Sequence, residues 1–113
     1  MIIYHNPRCS KSRQTLALIE ENNITPEVVE YLKTPLTSNE LKEIVNKLQV
    51  SVRDIIRNKE AEFKENGLDN LNLTDDEIYN VLATVPKLME RPIVVSKDKA
   101  VIGRPPENVL ALI

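Results

Sequence analysis

The 113 residues carry 15 lysines and arginines against 17 acids, a formal net charge of −2, and 42% of them are hydrophobic. That length suits a single domain with its own core, and the near-neutral charge gives no general attraction to nucleic acid. With one cysteine and one histidine, an intrachain disulfide framework is excluded and a structural zinc site is a poor fit. No apolar run approaches membrane-spanning length and no basic-then-apolar leader opens the chain, so no membrane role and a reducing, cytoplasmic location are expected.

Ile2, Ile3 and Tyr4 form a short run of strand propensity, followed by the turn residues Asn6-Pro7. From Ser10 to about Asn22, Leu16, Leu18 and Ile19 give a helix one apolar face, and Asn22-Asn23 is its stop. Cys9 therefore sits where a strand ends and a helix begins. The first turn of a helix offers unpaired N–H groups and the positive end of the peptide dipole, which favour a thiolate over a thiol. Arg8, Lys11 and Arg13 add positive charge to the same turn. Two readings stand side by side for Cys9: a small buried hydrophobe without chemistry, or a reactive thiolate that meets an anion. His5 is equally open. It is either an ordinary strand-end residue or an imidazole that favours the thiolate when protonated.

Thr25-Pro26 turns the chain, and Val28, Val29 and Tyr31 are expected to form a second strand, parallel to the first through a βαβ crossover. After Thr34-Pro35, Thr37 and Glu40 make a capping box, and Leu41, Ile44, Val45 and Leu48 repeat at helical spacing. Ser51 to Asp54 reads as another helix start, with a helical stretch continuing towards Phe63 and stopping at Asn66-Gly67. Thr74 and Glu77 form a second capping box ahead of Ile78, Val81 and Leu82, so residues 37–85 are expected to be almost wholly helical. Pro86 to Met89 is a short turn or helix. Arg91-Pro92-Ile93-Val94-Val95 is a strand opened by proline, Lys97-Asp98 a hairpin turn, and Ala100-Val101-Ile102 the antiparallel return. Pro105-Pro106 starts a closing helix carrying Val109, Leu110, Leu112 and Ile113.

The order β-α-β, helical block, β-β-α is a thioredoxin-like α/β layout: one domain over residues 1–113, with a mixed four-stranded sheet and a helical insertion between its second and third strands. In this layout Arg91-Pro92 is a candidate cis peptide, and Arg91 and Arg104 come to the same sheet edge as Cys9. Guanidinium groups match the oxygens of phosphate-like anions with paired donors. Arg57, flanked by Ile55-Ile56 in the helical block, reads from its neighbours alone as a solvent-facing helix residue.

The motifs His5-Asn6-Pro7-Arg8-Cys9-Ser10-Lys11-Ser12-Arg13, Tyr31-Leu32-Lys33-Thr34-Pro35, Arg91-Pro92-Ile93-Val94-Val95 and Gly103-Arg104-Pro105-Pro106-Glu107 resemble the glutaredoxin-coupled arsenate reductase family, in order and over essentially the whole chain. The likeness is greatest to its short members. The resemblance implies that Cys9 is the nucleophile and that His5 helps keep it ionised. It further implies that Arg57, Arg91 and Arg104 bind the oxyanion, which replaces the solvent-facing reading of Arg57. Arsenate is then the substrate and arsenite the product. No cofactor is bound, and glutathione and glutaredoxin act as outside reductants, because no second cysteine is present to resolve a Cys9 adduct. Ser12, one turn beyond Cys9, is a candidate hydrogen-bond donor to the sulfur. Two alternatives remain: a glutathione-dependent thiol reductase using Cys9 without an oxyanion cage, and an Spx-type regulator that binds RNA polymerase. Ser12 stands where the second cysteine of an Spx-type Cys-x-x-Cys switch would be, which argues against the regulator.

Overall fold

A computed structural model describes all residues, Met1–Ile113. The chain parts into two compact units, one formed by Met1–Thr34 with Arg91–Ile113 and the other by Pro35–Glu90.

The first unit is built on β1 (Ile2–Tyr4), α1 (Ser10–Glu21), β2 (Glu27–Val29), β3 (Ile93–Ser96) and β4 (Lys99–Ile102), closed by a 3-10 helix at Pro106–Leu112. The strands form one mixed sheet in the order β2-β1-β3-β4. β1 runs parallel to β2, with Ile3 opposite Val28, and antiparallel to β3, with Ile3 also opposite Val94. β3 and β4 form the antiparallel hairpin read from Lys97-Asp98, whose Lys97 takes a left-handed φ of 58°. Ile3, Ile19, Val94 and Val109 are wholly buried and make the core, so sheet, α1 and the closing helix meet on their β-branched residues. The second strand is shorter than expected. It ends at Val29, and Tyr31 lies beyond it in a turn, yet is buried to 1% exposure. The aromatic ring's burial, rather than strand pairing, accounts for the apolar signal there.

Gly103 follows β4 and lies against the first turns of α1. A Cβ at this position would stand 2.5 Å from Thr15 Oγ1 and 2.8 Å from Pro92 Cγ. Thr15 Oγ1 donates to the Lys11 carbonyl at 2.8 Å and lies 3.2 Å from the Gly103 carbonyl. The missing side chain lets the backbone leading into Arg104 approach α1. Both Arg91-Pro92 and Arg104-Pro105 are cis peptides.

The second unit carries α2 (Ser38–Leu48), a 3-10 turn at Val52–Ile55, α3 (Ala61–Glu65), α4 (Asp75–Thr84) and a 3-10 turn at Pro86–Leu88. Both threonine capping boxes form in full, Thr37 with Glu40 and Thr74 with Glu77. Ser51 and Asp54 make a third on the 3-10 turn. The helix expected to run on towards Phe63 is interrupted. Ile56 is extended and bridges antiparallel to Met89, with the Arg57 N–H donating to the Leu88 carbonyl at 2.8 Å and the Glu90 N–H to the Ile55 carbonyl at 2.7 Å. Residues 37–85 are thus helical in pieces. β-branched Ile55-Ile56 takes the extended partner that the chain returns at Met89. Gly67, with φ of 72°, follows α3 at the predicted stop. No helix is long and apolar enough to cross a membrane.

Candidate active site

β1 delivers the chain to the site: the His5 N–H donates to the Val29 carbonyl at 2.8 Å, the last rung toward β2. The turn after it is closed by Asn6, whose side-chain oxygen accepts from the Arg8 N–H at 3.0 Å and whose carbonyl accepts from the Cys9 N–H at 3.0 Å. This is the local bond asparagine makes two residues ahead, and it fixes where α1 begins. Cys9 is the N-cap of α1, with extended φ and ψ of −93° and 122°, and its carbonyl accepts the Arg13 N–H.

The sulfur is partly buried. Burial raises its pKa, but the other influences prevail and leave it below the ordinary thiol value: the backbone N–H of Ser12, the charge of Arg91, the backbone N–H of Lys11 and the guanidinium of Arg104. These are the orphan donors of a helix N-terminus joined by two distant arginines. Arg104 Nη1 is 3.7 Å from Cys9 Sγ and 3.4 Å from the Arg91 carbonyl, so it ties the sulfur to the opening of β3. Of the three cations next to Cys9 in sequence, Arg13 donates to the Pro7 carbonyl at 3.0 Å and braces the turn.

His5 and Ser12 form a pair beneath the sulfur's helix. His5 is 6% exposed, and its Nδ1 is 2.6 Å from Ser12 Oγ. The same hydroxyl oxygen accepts from the Asn6 N–H at 3.0 Å, and Ser12 is wholly buried. Burial lowers the pKa of His5, Glu30 raises it in part, and Arg13 lowers it further, so the net direction is down. Burial therefore favours the neutral ring over the charged one. It thus works against the protonated imidazole, and the contact His5 makes toward α1 is the one to Ser12. Ser12 in turn gives the sulfur its backbone N–H, while its hydroxyl is engaged with His5 and Asn6.

Five of the residues singled out in the sequence, Cys9, His5, Ser12, Arg91 and Arg104, thus share one site in the first unit. Arg57 belongs to the second unit. There its Nη2 lies 2.6 Å from Glu60 Oε1 and its Nη1 3.4 Å from the Lys87 carbonyl, while Lys87 Nζ stands 3.4 Å from Glu60 and 3.1 Å from Glu62. Asn6 reads from the sequence as a turn former and Lys11 as a cation, without the Asn6 bond to the Arg8 N–H or the Lys11 backbone N–H at the sulfur, and Glu30 is not singled out. Asn6 two residues before a polar N–H was a readable signal; Glu30 is not, since only the fold brings its charge to His5.

Residues 4–112 match the profile described as the ArsC family. The chain is 52% identical over 112 residues to a protein of Neisseria meningitidis serogroup A named arsenate reductase, spanning 98% of this chain and 96% of that one. It is 49% identical over 112 residues to an Escherichia coli protein named uncharacterized protein YfgD, spanning 98% and 94%. The solved structure of an arsenate reductase from Vibrio cholerae superposes with a TM-score of 0.97 at 48% identity, over 99% of this chain and 96% of that one. These relatives are of about the same length, and the match takes in the strand, the cysteine turn and both arginine-proline segments: the chain belongs to the ArsC family, and its mixed four-stranded, thioredoxin-like sheet is a member of that fold.

Proposed function

We propose that this protein is an arsenate reductase in which Cys9 is the nucleophile and glutathione and glutaredoxin, acting in the cytoplasm, supply the electrons. The observation that carries the reading is the sulfur's setting. A thiol with a lowered pKa sits at a helix N-terminus with Arg104 at 3.7 Å and the charge of Arg91 acting on it. Donors arranged for a thiolate also suit a tetrahedral oxyanion brought against it. Arg91, Arg104 and the first-turn N–H groups hold arsenate. Arg57 is assigned to the same anion on the motif resemblance, so the residues are taken to serve one functional domain. The Cys9 thiolate attacks arsenic and an arsenate oxygen leaves, protonated, as hydroxide or water; arsenic is still pentavalent in this adduct. Two electrons then come from outside thiols, glutathione first and glutaredoxin after it. They end as a disulfide; water then displaces the Cys9 sulfur from arsenic(III), so that arsenite leaves and the thiolate is restored. His5 is a positioning residue that acts through Ser12.

The test is a coupled assay containing arsenate, glutathione, glutaredoxin and a reductase that reports oxidised glutathione. Wild type consumes reductant and Cys9→Ser does not. Consumption by neither, with an ordinary thiol pKa, overturns the reading. Turnover of a glutathione mixed disulfide that is indifferent to Arg91→Lys and Arg104→Lys replaces it with a thiol reductase lacking an anion cage.

A further inference from the structure

Arg104 reaches Cys9 from a stretch of chain outside any helix or strand: Ile102 ends β4, the outer strand of the sheet, and Gly103 and Arg104 follow it. An arginine side chain has many rotamers, so keeping its guanidinium 3.7 Å from the sulfur calls for a root that stays in place. Gly103 is fastened through its N–H, which donates to the Pro92 carbonyl at 2.9 Å. Its carbonyl is held less firmly, 3.2 Å from a Thr15 hydroxyl whose one proton also serves the Lys11 carbonyl at 2.8 Å. The carbonyls on either side of Gly103 both turn to one side chain. Asn108 Nδ2 donates to the Ile102 oxygen at 3.0 Å and to the Arg104 oxygen at 3.2 Å. We propose that Asn108 is a positioning residue, whose amide brackets Gly103 and holds the backbone of Arg104 where its guanidinium meets the Cys9 sulfur.

The chemistry and the anchoring of Asn108 both suit this role. A side-chain amide nitrogen carries two protons, one for each carbonyl, and the pair of acceptors fixes which way the amide faces. An ionised aspartate of the same shape has no donor to offer. The Asn108 N–H donates to the Pro105 carbonyl at 3.1 Å, which sets the root of the side chain in the first turn of the closing helix. Val109, the next residue, is wholly buried in the core with Ile3, Ile19 and Val94. The core thus holds the amide, and the amide holds the segment that carries the guanidinium. Asn108 is exposed, so water competes for both bonds. Removing them loosens Arg104 without releasing it altogether. The inference rests on the proposed function only in taking Arg104 as an oxyanion ligand; the contact of Arg104 with the sulfur is a matter of geometry.

The experiment titrates Cys9 by thiolate ultraviolet absorbance in the intact, folded protein, without arsenate. Asn108→Ala removes both donors, and Asn108→Leu removes them while keeping the bulk of the side chain. Each raises the Cys9 midpoint by part of the rise that Arg104→Ala gives, because the guanidinium then spends less time at the sulfur. In the Arg104→Ala background neither variant moves the midpoint further, since effects that pass through one group do not add. A side chain that only stabilised the fold would lower the urea midpoint in both backgrounds and leave the thiol midpoint alone. A thiol midpoint unmoved in both variants overturns the inference. A rise of the same size with and without the Arg104 side chain overturns it too, and a rise in Asn108→Ala that Asn108→Leu does not share assigns the effect to bulk and overturns it as well. A rise that Arg104→Ala cancels, in a protein that does not reduce arsenate, upholds the inference and overturns the arsenate reading alone.

Discussion

The pair His5–Ser12 divides two kinds of support for the same sulfur. Ser12 gives Cys9 a backbone N–H that no side-chain substitution removes, while its hydroxyl satisfies a buried ring nitrogen and the Asn6 N–H. Ser12→Ala therefore leaves the thiolate largely in place and strands two buried polar groups. It is expected to cost about 1–3 kcal/mol in urea denaturation, with a small rise in the Cys9 midpoint followed by thiolate ultraviolet absorbance. Arg104→Ala does the opposite. It removes a donor to the sulfur and moves the midpoint up toward the ordinary thiol value, with little loss of stability because the side chain is exposed. An ordinary alkaline midpoint in wild type would remove the basis for both statements. Arg104→Lys keeps the charge but loses the fork, so arsenate turnover is expected to fall further than charge alone implies.

Among the elements, the two threonine caps and the two glycines allow sharper comparisons. Thr37→Ala and Thr74→Ala each remove the side-chain half of a capping box and leave the backbone N–H bonded to the glutamate, and each is expected to lower stability by about 1 kcal/mol in urea titrations. Gly103→Ala and Gly67→Ala fail for different reasons. At Gly103 the added methyl meets Thr15 and Pro92, so about 1–3 kcal/mol is lost and Arg104 is displaced with it, raising the Cys9 midpoint as well. At Gly67 nothing lies within 4 Å and only the left-handed backbone objects. About 1 kcal/mol is lost there and the thiol midpoint stays where it was. The element boundaries obey the same division. Caps and the spacing of Leu41, Ile44 and Val45 were legible because helix ends and helix faces are local. The break at Ile56 was not, since its extended backbone is matched to Met89, 33 residues on.

For the molecule as a whole, both perturbed groups of the site push stability in one direction with pH. His5 and Cys9 each have a lowered pKa in the folded chain, so the unfolded chain binds more protons and stability rises with pH across each window. For His5 the contribution is present above the ordinary imidazole value of 6.5 and is lost as pH falls from there to the folded value. For Cys9 it is present above the ordinary thiol value of 9.0 and is lost as pH falls through the lowered folded value. Urea denaturation of wild type and Cys9→Ser across this range should give a difference that shifts in favour of wild type as pH rises toward 9.0. A difference that does not change with pH would mean the sulfur is not held as a thiolate.

The sequence by itself determined the order of the elements, the parallel first pair, the caps, the single cysteine at a helix start and, through its motifs, the family. All of these depend on residues close together in the chain or on patterns that recur in order. Only the tertiary structure decided what surrounds that cysteine. Arg104 lies 95 positions from Cys9 in the chain, and Glu30 acts on His5 across the β1–β2 pair. Ser12 shares its hydroxyl between a ring and a backbone. The energies of ionisation depend on distance through space and on burial, which the order of residues along the chain does not contain.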